Sequence, residues 1–407
     1  MLGKNFKFEV ILDIVLWLCK FNFSSCKYKT IFRKDCHKFF TIFVKKLIEL
    51  DMKPKTYSLI ISLSAIFAIN AVSAQVVKYG NDFLNTGTCG REQSLGGCSV
   101  ASTSGAAAGY WNPANLSAPK GYKTDICATH SYFFGGLAQY DFAAASYQAD
   151  SLTSVGMSFL RLGVDDIQNT IYLFDQNGEP DFSRITYFST ADYALFFSVG
   201  RRLRFLPDFS VGGNVKLIYR MEGSFARAYG FGIDLAATYR KRDFAAGIVL
   251  RDATTTFDVW NINKEKFDST YLATGNTIPE NSVEQTAPSL LWSAAYTLHL
   301  GRFAFMGEIG SEITFDGKRN YLIRSDFACV NPCAGLEVSF MDMAFVRFGI
   351  SDFMKNNHLY ISRTYSYVPS LGAGIKVSRF SFDYAFMDAS TNSYEYRTNV
   401  FTLGARF

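Results

Sequence analysis

Residues 228–240, AYGFGIDLAATYR, alternate without a break. Tyr229, Phe231, Ile233, Leu235, Ala237 and Tyr239 fall on one side, and Gly230, Gly232, Asp234, Ala236, Thr238 and Arg240 on the other. A period of two sustained over a dozen residues describes a long β-strand with one oily and one polar face. In FSVGGNVKLIYR (209–220), Phe209, Val211, Val215, Leu217 and Tyr219 oppose Ser210, Asn214, Lys216 and Arg220. In RFSFDYAFMD (379–388), Phe380, Phe382, Tyr384 and Phe386 oppose Ser381, Asp383 and Ala385. About fourteen such segments cover the chain: 126–135, 139–149, 152–163, 189–201, 208–221, 228–240, 243–255, 286–299, 302–314, 329–341, 343–353, 366–377, 379–389 and 396–407.

Strands in soluble sheets usually run about five or six residues, whereas tilted strands of about 9–11 residues cross a bilayer. Tyr219, Tyr239 and Phe380 lie near segment ends, where an interfacial aromatic girdle sits. RKRD (240–243) and KVSRF (376–380) are tight turns, while 164–188 and 256–285 are long loops. Outer-membrane barrels show that alternation of short periplasmic turns and long external loops. An open sheet edge in lipid would leave a row of unpaired backbone groups, so the sheet must close. The expected fold is all-β: a transmembrane antiparallel β-barrel of about 14 strands. Its last segment, YRTNVFTLGARF, places Phe401, Leu403 and Phe407 outward. A closing strand that ends on Phe resembles the C-terminal signal read by barrel-assembly machinery. That machinery and outer-membrane lipid are the first expected partners.

The N-terminus follows a different logic. Residues 1–51 show no clear period and hold Cys19, Cys26 and Cys36. Then MKPKTYSLIISLSAIFAINAVSAQ supplies a basic start (Lys53, Lys55), an apolar stretch from Tyr57 to Ile69, and small residues at Val72-Ser73-Ala74. That is a signal peptide over 52–74, cut after Ala74. A signal peptide works at an N-terminus, so 1–51 reads as a doubtful N-terminal extension from an over-extended gene start. Removing 1–74 takes away twelve Lys/Arg and five Asp/Glu, which turns a formal net charge of +5 into about −2. The basic balance belongs to the leader and the extension, so no nucleic-acid partner is expected.

A barrel of this size has a lumen that its own side chains cannot fill. The 75–125 segment before the first strand of the 126–407 barrel is the expected N-terminal hatch, a small helical plug. SVASTSGAAAGYW (99–111) is made of small residues suited to close packing. Asn112-Pro113 breaks the helix, and Pro113-Ala114-Asn115-Leu116 starts a second short turn with Pro at a favourable first position. Tyr110, Trp111 and Leu116 are the expected anchors against the wall.

Five cysteines remain after residue 74. CGREQSLGGC and CVNPC suggest candidate disulfides Cys89–Cys98 and Cys329–Cys333 in an oxidising compartment, which leaves Cys127 unpaired. No His lies near either pair, so no metal site is expected. His37, His130, His299 and His358 have no nucleophile-elbow context. The lumen-facing Arg220, Asp234, Arg240, Glu308, Glu312, Arg347 and Asp383 are expected to pair across the wall or with the hatch. The expected chain is not an enzyme, has no catalytic residues and needs no cofactor.

GYWNPANLS resembles the hatch of FadL-type outer-membrane channels, and more so that of the PorV/PorQ branch found in Bacteroidetes. LGVDDIQNTIYLFDQNGEPDFSRITYFSTADYALFFSVGRRL (162–203), SVGGNVKLIYRMEGSFARAYGFGIDLAATYR (210–240) and FAAGIVLRDATTTFDVW (244–260) are similar to PorV-like proteins. The resemblance covers most of 90–407. It departs at Ser102, Thr103 and Ser104, where many relatives carry an Asp, and at Asn115, where Gly is common. It implies a fourteen-stranded barrel in the outer membrane of a Gram-negative cell. It further implies a shuttle in type IX secretion that binds sorting-domain cargo and delivers it to a surface attachment complex. The long 164–188 and 256–285 loops are then the candidate cargo-binding loops, with Phe257 and Trp260 either interface anchors or, equally, residues of the interfacial girdle. The alternative is a FadL-like channel for uptake of hydrophobic compounds.

Overall fold

The computed structural model describes residues 75–76, 80–118, 121–175, 177–266, 280–356, 364–389 and 396–407. The stretches expected from sequence to be an N-terminal extension (1–51) and a signal peptide (52–74) lie outside the described residues. The described chain is a closed antiparallel barrel of 14 wall strands. They are β1 Thr124–Phe133, β2 Ala138–Gln148, β3 Thr153–Asn169, β4 Thr186–Arg202, β5 Phe209–Glu222, β6 Ala226–Lys241 and β7 Phe244–Arg251, which continues as Thr256–Ile262. The rest are β8 Val283–Thr286 continuing as Ser289–Leu300, β9 Phe303–Thr314, β10 Cys329–Phe340, β11 Ala344–Asn356, β12 Thr364–Val377, β13 Phe380–Asp388 and β14 Arg397–Arg406. Each pairs with its sequence neighbours, and β14 closes on β1 from Asn399↔Tyr132 to Arg406↔Asp125. No wall strand is left with a bare edge, as lipid requires.

On the end shared with the C-terminus the turns span 149–152, 203–208, 242–243, 301–302, 341–343 and 378–379, none longer than six residues. The connections at the opposite end include 170–185, 263–282 and 315–328. The long loops therefore share one mouth. Two expectations need correction: 164–188 is not all loop, because β3 runs to Asn169 and β4 begins at Thr186, and neither is 256–285. The wall runs to Ile262 and resumes at Val283. A bulge at 252–255, with Asp252 and Thr255 at positive φ, interrupts β7 and reverses which parity faces inward. That phase slip looks like a strand end in sequence.

The outer surface carries the alternation's oily half. Val215, Leu217, Phe231, Leu235, Ile248, Leu371 and Leu403 are all exposed. Phe401 and Phe407 share that outer surface with Leu403. Two aromatic rings bound the belt. Tyr193, Tyr219 and Tyr229 stack along successive strands near the long-loop end, with centroids 6.0 and 5.2 Å apart. Phe209, Tyr239 and Phe244 do so near the short-turn end, at 4.9 and 6.3 Å. Tyr219 and Phe209 are ten residues apart on β5, as are Tyr229 and Tyr239 on β6. At about 3.3 Å per residue and a tilt of about 40°, the girdles stand roughly 25 Å apart, the height of a lipid-facing band. His130, Asp141 and Arg161 continue the upper row and pair with one another, at 2.6 and 3.2 Å, at the level where headgroups begin.

Val215 sits on the outer face midway between the rings. Val215→Arg is expected to lower unfolding free energy in lipid vesicles by about 2–4 kcal/mol, the cost of a charge at mid-bilayer. Equilibrium denaturant titration checks it.

Candidate functional site: the plugged lumen

Residues 80–118 occupy the lumen as short helical pieces: Asp82–Leu84, Gly90–Ser94, Gly105–Ala107, Ala108–Trp111 and Pro113–Ser117. The inner wall is shaped to receive them. A Cβ on Gly247 would stand 2.6 Å from the Val100 carbonyl, and one on Gly335 would stand 2.8 Å from Leu95 Cβ. Gly200 and Gly212 lie against the Pro113–Ala114 backbone even more closely. Here glycine serves close approach rather than turning. The Asn-Pro corner is the tightest point. Asn112 Oδ1 accepts the Ala114 N–H at 3.1 Å and caps the Pro113–Ser117 turn. Its Nδ2 donates to the Val100 carbonyl at 2.7 Å and to Thr238 Oγ1 at 2.8 Å. Asn115 Nδ2 donates to the same Val100 carbonyl at 3.0 Å, and Leu116 is fully buried beside Gly156.

Charges on the wall bind the plug and one another. Arg91 Nε meets Glu337 at 3.0 Å; Glu337 also holds Arg347 at 2.6 Å, and Arg347 reaches Asp383 at 2.6 Å. Glu308 accepts from the Ala101 N–H at 3.0 Å and from Ser293 at 2.6 Å, and Arg240 donates to the Ala101 carbonyl at 3.0 Å. Lys216 bridges Asp234 and Asp252 at 2.9 and 2.6 Å and so closes the β7 bulge from inside. Arg220 pairs with Asp192 at 2.9 Å. Burial pushes the plug's Glu92 carboxyl up, against the pull of Arg91. The charges that look like a cluster in sequence are thus distributed around the wall, mostly as partnered groups. Leaving one such buried charge without its partner would cost about 3–5 kcal/mol.

One arc of the inner wall is different. On β1 to β5, toward the long-loop mouth, the inward residues are Phe133, Tyr140, Phe142, Leu160, Phe196 and Ile218, all buried in one apolar cluster. Leu162 and Val164 extend it. Nearer the short-turn end the same strands carry Ser146, Ser154, Ser158, Ser198, Gly200 and Gly212, the small residues that seat the plug. Tyr110 bridges the two zones. Its ring lies edge-on to Phe142 and Phe196 at 5.9 and 5.8 Å. Burial pushes its phenol up, so the hydroxyl stays protonated and donates to the Leu84 carbonyl. Trp111 donates to the Thr88 carbonyl at 3.1 Å. Phe83 and Leu84 pack on the arc, and Arg251 stands 5.3 Å from the Tyr110 ring.

Two expectations about residues change. Phe257 and Trp260 are not in a loop but on the Thr256–Ile262 part of β7, paired with β6 and β8. Trp260 shares parity with the buried Asp258 and lies 5.0 Å from the Arg220 guanidinium, so it faces the lumen. The local cysteine loops also fail. Cys329 and Cys333 lie four residues apart on the extended β10, roughly 13 Å between Cα atoms against a limit of about 7 Å for a bridge. Cys89 neighbours Cys127, and Cys98 neighbours Cys333. The 80–88 stretch had no periodic signal, yet Asn81 joins Asp258 and Thr286 at 2.5 and 2.9 Å across 177 and 205 residues of chain.

Gly212→Val forces a side chain into the Pro113–Ala114 backbone. The Pro113–Ala114 corner of the plug is expected to be pushed off the wall locally while the wall, sealed by its ladder, persists. Planar-bilayer recordings should show raised ion conductance over the unsubstituted protein, with heat-modifiable migration of the folded barrel retained.

No family model matches the sequence, and no curated protein matches it. Solved structures do. A CymD monoaromatic hydrocarbon channel superposes with a TM-score of 0.50 at 12% identity, covering 79% of this chain and 98% of that one. The Pseudomonas putida toluene transporter TodX gives 0.46 at 13% identity, over 79% and 99% of the two chains. A Pseudomonas aeruginosa FadL homologue gives 0.45 at 10% identity, over 79% and 98%. At such identities the first superposition speaks to fold alone, and with the closed wall of 14 strands around a short-helical N-terminal segment it shows a closed antiparallel β-barrel of the same fold as that channel.

Proposed function

We propose that this chain is an outer-membrane channel for the uptake of hydrophobic compounds, small aromatic molecules among them. The observation that carries the reading is the apolar arc of Phe133, Tyr140, Phe142, Leu160, Phe196 and Ile218. A water-filled pore lines its lumen with polar groups. Here five adjacent strands turn oily side chains inward against Phe83, Leu84 and Tyr110 of the plug. Such an apolar lining, whose Tyr110 and Tyr140 hydroxyls are already held by the Leu84 and Phe83 carbonyls, suits a small apolar ligand. The oily outer belt, with aromatic rings about one bilayer core apart, supports residence in the outer membrane. The hydrocarbon-channel fold neighbours are consistent with the same class of cargo.

The shuttle of type IX cargo, with its Bacteroidetes source, rests on sequence resemblance alone. The lumenal position of Trp260 removes one residue of the loop on which cargo binding was based.

Uptake of a labelled monoaromatic compound by cells with and without the protein tests the proposal. The unsubstituted protein should accelerate uptake. Leu162→Asp, which puts a carboxylate in the half-buried rim of the arc, should slow it roughly tenfold, equivalent to about 1.4 kcal/mol of lost binding, with folding verified by heat-modifiability. Equal uptake with and without the protein sinks the channel reading. Co-purification of a β-sandwich sorting domain in that case would favour the shuttle.

A further inference from the structure

Among the described residues five cysteines stand as thiols. Four of them fall into two neighbouring pairs, and each pair joins the plug to the wall. Cys89 precedes the Gly90–Ser94 helix, is buried, and lines one small cavity together with Cys127 of β1. Thr129, two residues along β1 on the same inner face, donates to Cys89 Sγ at 3.6 Å. Cys89 holds φ 65°, ψ 133°, a conformation rare for any residue but glycine. Strain of that kind persists only where the surroundings over-determine it, and here it aims the side chain at β1. On another part of the wall, Cys98 is buried with its Sγ 3.5 Å from the Cys333 carbonyl of β10 and its thiol against the Cys333 thiol. Cys329 is separate. Its Sγ accepts the Arg319 N–H at 3.1 Å and donates to the Gly317 carbonyl at 3.4 Å, so it organises the 315–328 loop.

We propose that the plug is covalently fastened to the barrel by two disulfides, Cys89–Cys127 and Cys98–Cys333. The inference rests on outer-membrane placement, which passes the chain through an oxidising compartment, but not on what the channel carries. Each bond forms by exchange with the disulfide of a periplasmic thiol–disulfide oxidoreductase. One cysteine thiolate attacks that disulfide to give a mixed disulfide. The second cysteine displaces the oxidoreductase, which leaves as a dithiol carrying the two electrons and, after protonation, the two hydrogens. The neighbouring thiol and burial push the Cys89 and Cys98 thiols up. A seated plug therefore holds little thiolate, which places the exchange during assembly, before the plug is fully packed. Fastened at β1 and at β10, the plug cannot leave the lumen as a body. Passage then requires local yielding beside it.

Trypsin separates the relevant cysteines. Residues 79–91 hold Cys89, 92–120 hold Cys98, 124–161 hold Cys127, and 325–347 hold both Cys329 and Cys333. Protein from native outer membranes, alkylated during denaturation and digested without reductant, is analysed by mass spectrometry. The expected result is 79–91 joined to 124–161 and 92–120 joined to 325–347, with fragmentation placing the alkyl group on Cys329. Cys89→Ser should abolish the first link and leave the second. Alkylation of all five thiols, or a link between 79–91 and 92–120, overturns the proposal while the membrane fraction itself upholds the placement. Absence of the protein from that fraction removes the placement, and the bridges with it.

Discussion

Closure of the backbone hydrogen-bond ladder is the constraint from which the other features follow. β14 meets β1 over eight rungs, so no wall strand presents bare N–H and C=O groups to hydrocarbon. Once the sheet is a cylinder, every strand has an inside and an outside, and the two-residue alternation sorts side chains between them without further instruction. The outer set becomes a lipid-facing belt held between two aromatic rings. The inner set surrounds a space too wide for wall side chains to fill.

The plug answers that second consequence, and the wall is built around it. Glycine and serine stand on the inner face where the plug backbone comes close, and charges stand where its N–H and carbonyl groups need partners. Ala101 illustrates the economy: its N–H goes to Ser293 and Glu308, and its carbonyl takes Arg240. The apolar arc on β1 to β5 breaks this pattern. It has fewer polar obligations to meet, and it is the part of the lumen where the plug is held through Phe83 and Leu84 by apolar packing rather than by ion pairs.

Much of the wall was legible because a strand's pattern is local. The fourteen segments and the unequal turns can all be read within windows of a dozen residues, and they match the barrel closely. The bulge at 252–255 was misread as the start of a loop because it shifts the inward parity of β7. That shift cost the reading Phe257 and Trp260, which belong to the wall. The cysteines misled for a related reason. Nearness in sequence suggested Cys329 with Cys333, but an extended strand carries them apart at about 3.3 Å per residue.

By itself the sequence determined the strand periodicity, the oily and polar faces, the approximate strand number and the small-residue, Asn-Pro character of the segment inside. Those are properties of neighbouring residues and of the chain's need to satisfy its backbone in lipid. The tertiary structure alone decided which side chains meet across the lumen: Asn81 with Asp258, Arg91 with Glu337, Cys89 with Cys127, Cys98 with Cys333. Such contacts join residues tens to hundreds of positions apart. They depend on the register of every intervening strand and on how deep the plug sits, and no local pattern encodes that sum.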